Sequence, residues 1–124
     1  MTAPLPGLTA KAKIIHVVDG DTVDLELRID ARIRLLDCYA PESRTTDPEE
    51  KKKGLAAKAN MELLCQGETG IVHIPFTHAQ SLADVLTLDR ILGKVWMDNS
   101  DTDLSSRQVS DGYASSTKNG NLGE

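Results

Sequence analysis

Along this chain the period of the apolar positions switches between two and about 3.6, and each switch marks an element. Residues 12–18, Ala-Lys-Ile-Ile-His-Val-Val, are rich in β-branched side chains and end at Asp19-Gly20, a strong short turn signal, so they predict a first strand entering a hairpin. Residues 22–29 then alternate, with Val23, Leu25, Leu27 and Ile29 on one face and Asp24, Glu26 and Arg28 on the other. That is the pattern of a strand with one wet face. A tight turn at Asp30-Ala31 leads into a third strand over residues 31–38, with Ile33 and Leu35 on a common face. The first part of the chain thus reads as a three-stranded meander.

Pro41 closes the third strand, and a polar loop follows over residues 43–48. Asp47 fits a helix N-cap, with Pro48 at the first helical position and Glu49 and Glu50 in the first turn. Leu55, Ala56, Ala59, Leu63 and Leu64 supply an apolar stripe at helical spacing, and Gln66-Gly67 ends it, which predicts a helix over residues 48–65. Residues 70–76 read as a fourth strand whose Pro75 suits an edge or a bulge. Residues 77–88 fit a short helical turn or a long loop equally well. A fifth strand follows over residues 90–97, with a turn at Asp98-Asn99, and Thr102 or Asp103 caps a short second helix running to Val109 or Ala114.

Five short strands, a helix between the third and fourth, and a second helix after the fifth predict a mainly β fold with α: a five-stranded Greek-key barrel of the OB-fold (oligonucleotide-binding) type. An α+β sandwich is the rival from pattern alone. The expected organisation is an N-terminal extension over residues 1–10, a domain over residues 11–114, and a polar tail over residues 115–124 with too little to bury to be ordered. No internal repeat is visible.

Composition narrows the function. With 124 residues, 40% of them hydrophobic, the chain suits one domain with a modest core. No apolar run approaches the roughly 20 residues of a membrane span, and residues 1–8 lack the basic and apolar regions of a signal peptide. The expectation is a soluble chain without a membrane partner. A net charge of −5 argues against a generic nucleic-acid binder, but the acid is concentrated late. Residues 98–124 hold Asp98, Asp101, Asp103, Asp111 and Glu124 against Arg107 and Lys118, a net of −3, which leaves −2 for everything before them. Cys38 and Cys65 have no local partners for a zinc site and read as buried free thiols, with one bridge open if the helix packs Cys65 beside Cys38. His16, His73 and His78 share no spacing and read as ordinary residues.

The concentrated chemistry lies in Asp19-Gly20-Asp21-Thr22-Val23, Arg34 and Ala40-Pro41-Glu42. Carboxylates hold a hard divalent cation, a further carboxylate aligns or deprotonates water, and a guanidinium matches phosphate oxygens two at a time. Together they suit attack on a phosphodiester. Structural roles stand beside these: Asp19 and Asp21 can simply build a turn, Arg34 can pair with Asp21 or Glu42, Arg90 can pair with Asp89, and Lys51-Lys52-Lys53 fits a solvated helix face.

Over residues 11–114 the chain resembles the staphylococcal nuclease, or thermonuclease-like, domain family. The resemblance rests on Val18-Asp19-Gly20-Asp21-Thr22-Val23, on Arg34-Leu35-Leu36 eight residues ahead of Glu42 in Pro41-Glu42, on the lysine-bearing helix, and on Arg90-Ile91-Leu92-Gly93-Lys94-Val95. It implies a calcium-dependent endonuclease, a hydrolase acting on single-stranded DNA or RNA and leaving 3′-phosphate ends. Asp21 then stands at a direct calcium-ligand position with Asp19 nearby, Ala40 contributes a backbone carbonyl, Glu42 activates water, and Arg34 and Arg90 clamp the phosphate. The oligomeric state is not implied.

The chain departs from the family at Tyr39, where a second carboxylate ligand is usual. A phenol is neutral at pH 7 and a poor ligand for a hard cation, so calcium binding is expected to be weakened. Asp37 could replace it only through a bulge or register shift. Leu88 and Asp89 stand where a tyrosine and a glycine are usual before the second arginine, and the chain ends soon after Tyr113, so the family's last helix is expected to be absent or replaced. Three functions follow: a nuclease with altered metal dependence, favoured by Asp21, Arg34, Glu42 and Arg90; a degenerate module that binds nucleic acid without cutting; and a structural OB-fold module, favoured by the acidic charge and scarce aromatics.

Overall fold

The computed structural model describes residues 9–75, 91–98 and 100–124. The fourth strand's expected last residue, Phe76, the stretch 77–88, Arg90 and Asn99 lie outside the described residues. The chain divides into two compact units, Met1–Arg32 and Ile33–Glu124. Among the described residues the five strands form two sheets, one of two strands and one of three, with two helices and no closed barrel. No helix among them is long and apolar enough to cross a membrane.

In the first unit, β1 (Lys11–Asp19) pairs antiparallel with β2 (Thr22–Arg28) through the two-residue turn Gly20-Asp21. Gly20 is not in the left-handed region, so this turn does not draw on glycine's special freedom. Two register shifts explain a run that does not alternate. With Ile15 and Val18 taken up as extra residues, Ile14 opposes Leu25, Val17 opposes Val23, and His16 opposes Asp24. Bulges thereby keep apolar side chains opposite apolar ones. Every residue of the two strands is nonetheless exposed, including the alternating set Val23, Leu25 and Leu27. A two-stranded ribbon gives its side chains only cross-strand neighbours.

The second unit corrects the expected meander. Strand β3 is only Ile33–Leu35, and its partner is β5 (Ile91–Met97), which runs parallel to it. On its other side β5 pairs antiparallel with β4 (Gly70–His73), giving the order β3-β5-β4. The strand stops at Leu35 because a turn follows at Leu36-Asp37, where Asp37 takes a left-handed φ of 57°, a conformation Asp tolerates better than most residues. Lys94 on β5 holds the Asp37 carboxylate at 3.2 Å. Pro75 follows β4, which lies at the edge of this sheet.

Helix α1 (Pro48–Cys65) forms where local chemistry directs it. The Asp47 carboxylate accepts from the Glu49 N–H at 3.1 Å, its carbonyl accepts from the Lys51 N–H at 2.9 Å, and Pro48 occupies the first turn. Gly67, at a φ of 77°, lets the chain leave, with the Gln66 N–H donating to the Glu62 carbonyl at 3.0 Å. The buried face differs from the leucine stripe expected. Leu55 is 49% and Leu63 86% exposed, whereas Gly54 and Ala57 are buried. Small residues win because they let the helix approach a neighbouring backbone closely.

Helix α2 (Leu104–Ser110) is capped by Asp103, whose carboxylate accepts from the Ser106 N–H at 3.1 Å and the Ser106 hydroxyl at 2.7 Å. Burial alone would raise the Asp103 pKa. The two Ser106 bonds and the Lys94 charge outweigh it, so the carboxyl titrates below its ordinary value. Its stabilising effect, present above the ordinary carboxylate pKa, is lost as the pH falls through the lowered one. The two helices meet through Gln108, 2% exposed, which accepts from Asn60 Nδ2 at 2.7 Å and donates to the Ala57 carbonyl at 2.7 Å. Both ends of its amide are therefore satisfied. The segment after residue 114, expected as a disordered tail, is tied back: Ser115 bridges Tyr39, and the Gly123 N–H donates to the Ala114 carbonyl at 2.9 Å.

Replacing Gln108 with Leu would take from the Ala57 carbonyl its side-chain donor and from Asn60 one acceptor inside the packed helix pair. The expected loss is about 1–3 kcal/mol, read from urea denaturation midpoints at constant slope.

Candidate functional site

Strand β3 places Arg34 between two half-buried apolar residues, Ile33 and Leu35, so its own side chain stands on the opposite, exposed face. The guanidinium then folds back over the segment that follows. Arg34 Nη1 donates to the Cys38 carbonyl at 2.9 Å and to the Leu35 carbonyl at 3.2 Å, and its Cζ lies 5.4 Å from the centre of the Tyr39 ring. Among the described residues Nε and Nη2 have no protein acceptor. They form one edge of the planar fork, the geometry that meets two oxygens of a phosphate or carboxylate.

The chain from Cys38 to Glu42 is fixed at three points. Cys38 is buried at 6% exposure. Tyr39 and Ser115 exchange both backbone bonds, with the Tyr39 N–H donating to Ser115 at 2.8 Å and the Ser115 N–H donating to Tyr39 at 2.9 Å. Farther on, the Glu42–Ser43 backbone rests on α1 at Gly54, where a Cβ would collide with the Glu42 carbonyl and stand 2.6 Å from the Ser43 nitrogen. A contact that close admits only glycine. Glu42 is exposed, and its N–H points to Glu50 Oε1 at 3.5 Å, too long for a strong bond.

Arg34, Ala40 and Glu42 line one cavity of about 440 Å³, within the size range of small-molecule sites. Lys58 and Glu62, one turn apart on α1, line it too. The cavity therefore presents two cations and two carboxylates on walls that also include Ile33, Leu35, Pro41 and Met61. Nothing in the residue pattern singled out Lys58 and Glu62. Their i, i+4 spacing is ordinary for a solvated helix, and only the packing of α1 brings them to the cavity.

Asp19 and Asp21 belong to the hairpin unit, at the end of β1 and in the turn, and both are exposed. One oxygen of Asp21 accepts from the Thr22 hydroxyl at 2.9 Å. Asp37, the alternative ligand, is engaged by Lys94. The Tyr39 ring faces Arg34, a cation itself. Within neither unit do three or more His, Cys, Asp or Glu among the described residues form a group able to hold a metal ion. Calcium takes six to eight oxygens, and two carboxylates on one turn fill a small part of that shell. Arg90, with its neighbours Leu88 and Asp89, lies outside the described residues.

Cys38 and Cys65 are free and line the same cavity. Burial pushes the Cys38 thiol above its ordinary value; the Arg34 charge pulls the other way and Asp103 adds to the rise. Burial alone raises Cys65. Both stay protonated at neutral pH, when thiolate is the reactive form. Cys38 is expected to react with a disulfide reagent at pH 7.5 much more slowly in the folded protein than in urea, measured by the colour released.

The Gly54 contact makes a second prediction. Gly54→Ala should lower stability by about 1–3 kcal/mol in thermal or urea unfolding and shift the backbone resonances of Glu42 and Ser43, the atoms its methyl would meet.

The chain matches no family model, no curated protein and no solved structure.

Proposed function

We propose that this protein is a phosphodiesterase acting on single-stranded DNA or RNA, with Arg34 and Glu42 as the residues that carry the step. The observation behind the reading is their convergence on one cavity, with Arg34 offering a fork edge that has no acceptor among the described residues and Glu42 an exposed carboxylate. Arg34 would hold two non-bridging oxygens of the phosphate. Glu42 would take a proton from water as the water oxygen bonds to phosphorus. The bond from phosphorus to the 5′ oxygen then breaks, and that oxygen takes a proton from solvent. As charge grows on the phosphoryl oxygens the arginine's two N–H bonds strengthen, which is where the rate gain arises. Lys58 adds a second positive group on the cavity wall.

Calcium, when bound, would supply a Lewis acid for phosphodiester chemistry, and by resemblance alone Asp19 and Asp21 of the hairpin unit are the residues proposed to hold it. Two carboxylates are a poor fit to calcium's shell, so the step above rests on Arg34 and Glu42 alone. Arg90 is proposed, by resemblance only, as a second clamp. For the fold, β5 lying between β3 and β4, with α1 inserted after β3, supports the five-stranded Greek-key barrel of the OB type.

Binding without cleavage is the second reading. It is favoured by Tyr39, which stands at a metal-ligand position and packs on Arg34 instead.

Purified protein incubated with single-stranded DNA and calcium, manganese or magnesium should cut it. Glu42→Gln and Arg34→Ala should each slow cleavage by about a hundredfold or more. No cleavage with any of the three metals would refute the enzyme. In that event, oligonucleotide binding that weakens with salt would support the second reading, since phosphate contacts release counterions.

A further inference from the structure

Tyr39 has a place in this structure that a metal-ligand role does not explain. Its ring centre is 5.4 Å from the Arg34 Cζ, within the distance at which a guanidinium is drawn to an aromatic face. The same guanidinium is tied by Nη1 to the carbonyl of Cys38, the residue just before Tyr39. One short stretch of chain therefore holds Arg34 twice, by a backbone acceptor and by a ring. Both contacts leave the Nε and Nη2 edge without a protein acceptor among the described residues.

The tyrosine is itself fixed. Its two backbone bonds go to Ser115, which is 2% exposed. The segment beyond Ser115 is closed on itself: Ser115 Oγ accepts from the Thr117 N–H at 3.2 Å, the Ser116 hydroxyl donates to the Glu124 carbonyl at 2.6 Å, and the Gly123 N–H donates to the Ala114 carbonyl at 2.9 Å. These bonds are made by backbone or by serine, so they do not depend on which side chain position 39 carries. What position 39 contributes by its side chain is the ring alone.

We infer that Tyr39 is a positioning residue for Arg34: its ring, set in place by the C-terminal segment through Ser115, selects the guanidinium orientation in which the Nε and Nη2 edge is left open for an oxyanion. An arginine side chain has four rotatable bonds and would otherwise distribute over many rotamers, a freedom lost on each binding event. The inference rests on the reading that Arg34 binds phosphate, and it gives Tyr39 a role that a carboxylate at this position could not have. A carboxylate would pair with the guanidinium and compete with the phosphate for the same N–H groups.

The test compares Tyr39→Phe, which keeps a ring, with Tyr39→Leu, which does not; with the side chain 36% exposed, neither change removes a core residue. In the free protein the Arg34 Hδ and Nε–Hε NMR signals, assigned by their loss in Arg34→Ala, should be displaced by the ring current in wild type and Tyr39→Phe. In Tyr39→Leu they should move to ordinary arginine positions. Affinity for a single-stranded oligonucleotide should fall roughly two- to fivefold in Tyr39→Leu and hold in Tyr39→Phe, with no further effect of Tyr39→Leu in an Arg34→Ala background. Undisplaced Arg34 signals in wild type overturn the inference, as does an equal loss of affinity in the Phe and Leu variants. If no variant binds the oligonucleotide, the phosphodiester reading fails, and the ring-current shifts alone decide whether Tyr39 positions Arg34.

Discussion

The contact between helix α1 and the Glu42–Ser43 backbone is the constraint from which the rest of the second unit follows. It exists because position 54 carries no side chain. With Gly54 and Ala57 buried, Leu55 and Leu63 turn outward, and Lys58 and Glu62 come to the cavity shared with Arg34 and Glu42. The same rotation brings the Ala57 carbonyl to Gln108, so the second helix is attached by an amide as well as by its buried Leu104. A unit built this way has a core in which small and polar groups stand beside only two large apolar ones, Ile91 and Leu104, among the described residues. Its order depends on each buried hydrogen bond being made.

Charge at the cavity is arranged in the same economical way. Arg34 is held by the backbone immediately after its own strand and by the ring at position 39, and neither partner neutralises it. Asp37, the nearest acid in sequence, is taken up by Lys94 across the sheet. An arginine kept charged and oriented suits a phosphate ligand, because its cost of ordering is met before the ligand arrives. The thiols of Cys38 and Cys65 line the same cavity, each raised above its ordinary pKa by burial.

Several elements were legible because their causes are local. Asp47, Pro48 and the Gln66-Gly67 exit bound α1 where the residue pattern puts it, and Asp103 caps α2 as its spacing suggests. Asp19-Gly20 marks the hairpin. Other readings failed where the cause is distant. The leucine stripe of α1 has helical period but does not say what it will face, and a glycine in a helix looks like a weak point until the backbone it touches is known. The third strand looked like the end of a meander, yet its partner is β5, more than fifty residues on. The polar segment after Ala114 has little to bury, but its backbone and serine hydroxyls close bonds that composition does not reveal.

For the site, sequence by itself determined the chemical types: acids at 19, 21 and 42, a guanidinium at 34 and a phenol at 39. It could do so because reactivity belongs to side chains. Tertiary structure decided the company those groups keep: Arg34 and Glu42 on one cavity, Lys58 and Glu62 beside them, the Tyr39 ring over the arginine and Asp37 drawn away to Lys94. Such proximity depends on strand pairing and on the closeness with which a helix can lie against a backbone. Both are set by contacts between residues far apart in the chain, which no local pattern encodes.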